Sequence, residues 1–164
     1  MRAFYLDTSA LLKRYKSEAG SDNIYLLFDY SKRTRKRLIT SIFTTVELAS
    51  VSHRFMKQGM LSEAFEMELL QTFADDAEEY LRFVGIDDAI ILSAAKAVWK
   101  HSLRAGDAIH FASLKRAREY LSTQDLDIVF VSSDNVLSQV TVEAGFRVAN
   151  PQTASEKEWK EFLV

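Results

Sequence analysis

The sequence has no cysteine. That excludes disulfides, thiolate metal sites and a cysteine nucleophile, and it fits a reducing cytoplasm. Histidine is scarce: His53, His101 and His110 are the whole supply, which argues against a histidine-rich zinc site. No apolar run is long enough to span a bilayer, and the first residues show no signal-peptide pattern. The expectation is a cytoplasmic protein without a membrane partner. Repeats, low-complexity segments and domain linkers are absent as well. Charge of one sign does not dominate, because the formal net charge is −2. Nucleic-acid binding is neither supported nor excluded by that figure, and would have to rest on a local basic patch.

What is present is enough for one domain. The chain has 164 residues, 48% of them hydrophobic, so it can bury a core without staples. Phe4-Tyr5-Leu6-Asp7-Thr8-Ser9-Ala10-Leu11-Leu12 reads as a buried strand, a turn carrying Asp7, and a helix capped by Thr8 or Ser9. Asp7 has two readings here: a helix cap, or a chemical group at the carboxyl end of a strand, where ligands gather in open parallel sheets. Gly20 and Ser21 mark a turn and an N-cap before a helix with Ile24, Leu27 and Phe28 on its apolar face. A basic run, Lys32 to Arg37, reads as a solvated connection or a phosphate grip.

Leu38-Ile39-Thr40 is a second strand, followed by a helix in which Glu47 lies one turn from the start. By itself such a glutamate is a capping or dipole-favoured residue. Gly59 ends that helix, and Ser62 opens a long amphipathic one. Residues 81–86 read as a strand or a connector, and Asp87-Asp88 as an N-cap pair. Asp107 starts a further helix, with His110 and Phe111 on its side. Asp125 and Asp127 are turn residues before Ile128-Val129-Phe130-Val131, the most strand-like run. Ser132-Ser133-Asp134 sits at the exit of that strand, as Asp7 does at the exit of the first. A helix from about Asn135, closed by Gly145, precedes a short strand at residues 146–149. The alternation predicts an α/β fold with a mostly parallel sheet of four to five short strands flanked by helices on both faces, a three-layer arrangement. Residues 1–150 form the domain and 151–164 its helical C-terminal tail.

In such a sheet Asp7, Glu47, Asp107 and Asp134 fall on one edge. Four carboxylates there repel unless a cation is present, and a hard divalent ion such as Mg²⁺ or Mn²⁺ prefers oxygen ligands of this kind. Such an ion polarises a phosphate, lowers the pKa of a bound water and stabilises a departing oxygen.

Four segments together resemble the PIN-domain nucleases, and among them the VapC-type toxins of prokaryotic toxin–antitoxin pairs. They are Tyr5-Leu6-Asp7-Thr8-Ser9-Ala10-Leu11, Thr44-Thr45-Val46-Glu47-Leu48, Leu103-Arg104-Ala105-Gly106-Asp107-Ala108-Ile109-His110 and Val131-Ser132-Ser133-Asp134. The resemblance implies a PIN-like fold and a metal-dependent endoribonuclease in which activated water attacks an RNA phosphodiester, leaving a 5′ phosphate. It maps the acidic quartet onto Asp7, Glu47, Asp107 and Asp134, the last being the most loosely fixed as a ligand. Ser9, Ser132 and His110 match supporting positions around the acids. The resemblance also implies a homodimer and a cognate antitoxin protein. The apolar surplus in Phe55, Phe65, Phe73, Tyr80 and Trp99 could supply the dimer's patch. Lys13, Arg14, Lys16 and Arg104, near the acids in sequence, are the expected RNA phosphate contacts. Alternatives are an RNA-processing nuclease outside any toxin pair and a catalytically silent PIN-like interaction module. An aspartate-nucleophile phosphatase fits less well, because its second acid would stand where Ser9 does.

Overall fold

The computed structural model describes residues 2–36, 38–123 and 126–163. Arg37, the end of the expected basic run, and Asp125, an expected turn residue, lie outside them. So do the first residue of the expected domain and the last of its tail. At the centre lies β1 (Arg2–Leu6), whose side chains alternate between two cores. Tyr5 enters one, with Ile39, Phe111, Phe130 and Leu137. Phe4 and Leu6 enter the other, with Ile24, Leu27, Phe28 and Trp159. This is the period of two expected of a strand with helices on both faces.

β2 (Leu38–Ser41), β3 (Leu81–Val84), β4 (Asp127–Val131) and β5 (Arg147–Ala149) complete the sheet, in the order β3-β2-β1-β4-β5. Every pairing is parallel; Tyr5 faces Ile39 on one side and Phe130 on the other. The helices, eight among the described residues, are α1 (Thr8–Leu11), α2 (Ser21–Thr34), α3 (Phe43–Lys57), α4 (Glu63–Glu79), α5 (Asp88–His101), α6 (Ala105–Ser122), α7 (Asn135–Glu143) and α8 (Glu156–Phe162). A single 3₁₀ turn, Leu12–Arg14, continues α1. The α/β architecture expected from the sequence is therefore present, with all five strands parallel.

Strand order reverses between β1 and β4: β2 and β3 build outward from one side of β1, and β4 and β5 from the other. In an open α/β sheet such a switch point leaves a crevice outside the carboxyl ends of its two strands. Asp7 follows β1 and Asp134 follows the exit of β4, so the two flank that crevice.

Local expectations fare unevenly. Ser62 and Asp87 cap α4 and α5 through Phe65 N and Ile90 N, and residues 81–84 are a strand. Asp7, not Thr8 or Ser9, caps α1, accepting from Ala10 N. Gly20 with φ +90°, rather than Ser21, precedes α2. A Cβ at position 20 would lie 2.6 Å from the Pro151 carbonyl oxygen, so glycine is needed there on two counts. Phe73 belongs to the core, whereas Trp99 is 91% exposed.

Candidate active site

A cleft above the carboxyl edge of the sheet is lined by Asp7, Glu47, Asp107 and Asp134, together with Thr8, Ser9, His110, Arg54 and Arg104. Four separate elements deliver the acids. Asp7 sits in the β1–α1 turn, Glu47 in the second turn of α3, Asp107 in the first turn of α6 and Asp134 at the N-cap of α7. Helix N-termini carry unpaired N–H groups and a partial positive charge, which favours acids at these positions.

Asp7 is buried and held by three donors. Ser9 Oγ donates at 2.8 Å, Ser132 Oγ at 2.6 Å and Ala10 N at 2.9 Å. Ser9 Oγ also lies 3.0 Å from Oδ2, so each carboxylate oxygen has two contacts. Burial pushes the Asp7 carboxyl up, against the opposing charge of His110 and the hydrogen bonds from Ser132, Ala10 and Ser9. The two serines also fasten the loop after β4. Ser9 Oγ accepts from Ser133 N at 3.0 Å, and Ser132 Oγ accepts from Asp134 N at 3.0 Å. Ser9 therefore orients Asp7 and this loop.

Glu47 is gripped at one oxygen, Oε2, by His110 Nε2 at 2.8 Å and by the Thr8 hydroxyl. Burial raises its carboxyl, but His110 and Thr8 outweigh that and hold it below the ordinary range. His110 is itself buried, and its Nδ1 meets Tyr5 Oη at 3.1 Å, so a chain of contacts runs from the core strand to Glu47. Oε1, the other oxygen of Glu47, points at the start of α6. A Cβ on Gly106 would lie 2.5 Å from it, so the absence of a side chain there makes its seat.

Asp134 Oδ1 accepts from Leu137 N at 2.7 Å. Asp107 differs from the other three: among the described residues its carboxylate accepts no hydrogen bond. Burial raises its pKa first, and then the charges of Asp134, Asp7 and Glu47 raise it further, with His110 opposing. The three other acids thus act on a half-buried carboxylate that has no donor of its own. A cation would relieve that, and the carboxylates and hydroxyls of the cleft suit a hard divalent ion. Among the described residues, however, no three His, Asp or Glu side chains stand close enough together to enclose an ion as they are placed.

The expected phosphate contacts separate sharply. Arg104 is exposed and lines the cleft. Lys13 does not reach it: the residue is 1% exposed and pairs with Glu18 at 2.6 Å. Arg14 pairs with Asp76 at 3.0 Å and lies over the Phe28 ring at 4.6 Å, while Lys16 pairs with Glu18 and faces the Phe55 ring. Nearness to Asp7 in sequence does not bring these three to the cleft, because the turn after α1 folds them against α2, α3 and α4. Arg54 was missed. It lies seven residues beyond Glu47 on α3, two helical turns along the same face, and that spacing was the available signal.

No curated protein matches the chain. The family model described as the PIN domain matches residues 4–142, spanning β1 to α7 and all four acids. Members of that family are generally nucleases and typically use divalent metals. With most of its length covered by the match, the chain belongs to the PIN domain family.

Proposed function

We propose that the protein is a metal-dependent endoribonuclease that cleaves RNA phosphodiesters, and that it is the toxin of a type II toxin–antitoxin pair. The observation that carries the reading is the convergence of Asp7, Glu47, Asp107 and Asp134, from four separate elements, on one cleft at the switch point of the sheet. The cleft also holds Arg54 and Arg104, two cations suited to phosphates.

Asp7, Glu47, Asp107 and Asp134 are the residues that would hold Mg²⁺ or Mn²⁺. When bound, such an ion activates water and stabilises charge on the scissile phosphate and the leaving oxygen. The protein's own groups do the rest. Ser9 and Ser132 fix the Asp7 carboxylate, and Ala10 N closes one of its oxygens. His110 and Thr8 leave Glu47 Oε1 as the free oxygen of that acid, held as a carboxylate at neutral pH and able to accept a proton or a water hydrogen. Arg54 and Arg104 orient the nucleic-acid backbone across the cleft.

The test is cleavage of a labelled RNA by the purified protein with Mg²⁺ or Mn²⁺ added back after EDTA. The expected result is cleavage with 5′-phosphate ends, lost in Asp107→Asn. Near-wild-type cleavage by that variant would refute the site. Mn²⁺ should also raise the melting temperature of the wild type by mass action, and not that of the variant.

The partners belong to the same proposal. α5 exposes Leu92 and Trp99, at 64% and 91%, a surface suited to a second copy of the chain or to an antitoxin. Growth arrest on expression, relieved by the product of a neighbouring gene, would support the toxin reading. Cleavage without such relief would favour an RNA-processing nuclease outside any toxin pair.

A further inference from the structure

A second charged feature lies on the other side of α6 from Glu47. A groove of about 490 Å³ runs between α5, α6 and α7, and Lys96, Lys100, Lys115 and Arg118 line it, with Glu143 as its acid. Six other cations, Lys13, Arg14, Lys16, Arg116, Arg147 and Lys160, are paired with carboxylates, while others, among them Arg54 and Arg104 of the cleft, are in no ion pair among the described residues. The four in the groove form no ion pair among the described residues. Two are held in place from below. The guanidinium of Arg118 lies 3.7 Å from the Phe146 ring and donates to the Ala144 carbonyl, and Lys115 Nζ lies 5.9 Å from the Phe111 ring. Four positive charges against one acid make this concavity locally basic in a protein of net charge −2, a field that attracts an anion.

The position of the groove indicates which anion. Asp107 stands at the start of α6, and Lys115 lies eight residues further along, about 12 Å by helical rise. Asp134 caps α7, and Glu143 ends it beside the groove. The acid cleft and the basic groove are therefore two stations along the same pair of helices. We propose that the groove is a docking track for the nucleic-acid strand that leaves the cleft, gripping its phosphates without regard to base. This rests on the nuclease reading above, and it adds the path of the substrate beyond the cleavage point.

The decisive measurement is the salt dependence of binding, taken in EDTA so that metal-dependent cleavage does not intervene. Binding of a fluorescent single-stranded RNA of mixed sequence is compared between the wild type and the triple variant Lys96→Gln/Lys100→Gln/Lys115→Gln. Each phosphate contact adds about 0.7 to the slope of log K against log salt for a single strand, so the variant should lose about two units of slope. Lys32→Gln/Arg33→Gln, on α2 at the amino-terminal edge of the sheet, should lose none. If the triple variant melts early, Lys96→Glu/Lys100→Glu on α5 alone serves, with a larger loss of affinity per site. An unchanged slope beside normal RNA cleavage would overturn the track and leave the nuclease reading standing. Loss of binding to poly-glutamate with RNA binding intact would also overturn it, and would assign the groove to an acidic protein. Failure of the wild type to bind RNA at all would overturn both.

Discussion

Replacing Gly106 with alanine should separate the stability of the fold from the activity of the site. The new Cβ would lie 2.5 Å from Glu47 Oε1 and 3.5 Å from the Phe43 ring. Ordinary contact begins near 3.4 Å, so Oε1 must retreat by about 0.9 Å, while Phe43 need not move. That retreat pulls Glu47 away from His110, now 2.8 Å from its other oxygen. Because the displaced atom is the free end of a flexible side chain, the backbone is not strained. Alanine also removes the backbone freedom that glycine brings to a helix, worth up to about 1 kcal/mol. The variant should therefore unfold in urea at the wild-type concentration or slightly above it. A displacement near 1 Å in a catalytic constellation can lower the rate by about 10²-fold, and RNA cleavage should fall by that order. Gly85→Ala, where a Cβ would meet nothing within 4 Å, is the control and should leave cleavage unchanged. Wild-type cleavage in Gly106→Ala would refute the argument that Glu47 must occupy this seat. A loss of more than about 1 kcal/mol in stability would refute the claim that Glu47 yields freely.

Other consequences follow from the same geometry. Burial and neighbouring acids raise the Asp107 carboxyl above its usual 3.8, so its contribution to stability is present below that value and lost as pH rises through the folded value. In EDTA, Asp107→Asn should raise the melting temperature at pH 7, and the gain should vanish on acidification; a gain independent of pH would refute this. At Glu18 the sign is opposite. Burial raises its carboxyl, but Lys13 and Lys16 hold it below the usual range, so its stabilisation is present above the ordinary 4.5 and lost as pH falls through the folded value. Glu18→Gln, which removes the partner of the buried Lys13, should destabilise the fold more than Lys13→Met does. Urea titrations would decide, and the reverse order would refute the assignment.

Much of this architecture is legible in the sequence because the strands are short and buried on both faces. Residues 4–6, 38–40 and 128–131 stand out as apolar or β-branched runs, and an acid after the first and the last of them marks the carboxyl edge. The helix caps are harder, since a cap is defined by a one-residue choice of where the helix begins. Thr8 and Ser9 have the right chemistry for α1, yet Asp7 takes the role and the hydroxyls turn to Glu47 and to Asp7 itself. Lys13 was not legible, because a long side chain can bury its stem and charge against a partner such as Glu18 that only the fold brings near. Nor does Gly106 announce itself. Its meaning lies in Glu47, on another helix far back in the chain.

The unequal bonding of the four acids bears on how such a protein can change over time. Asp7 caps a helix and receives two serines that also fasten the next active-site loop, so any substitution there unsettles the architecture around it. Asp107 supports nothing else among the described residues, and its charge, raised in cost by burial and by the neighbouring acids, opposes folding. If the proposed nuclease function were no longer needed, a descendant would gain stability by losing Asp107 first, while retaining Asp7. An intact Asp7 therefore attests to the inheritance of the fold, and Asp107 is the position that registers whether the chemistry is still in use.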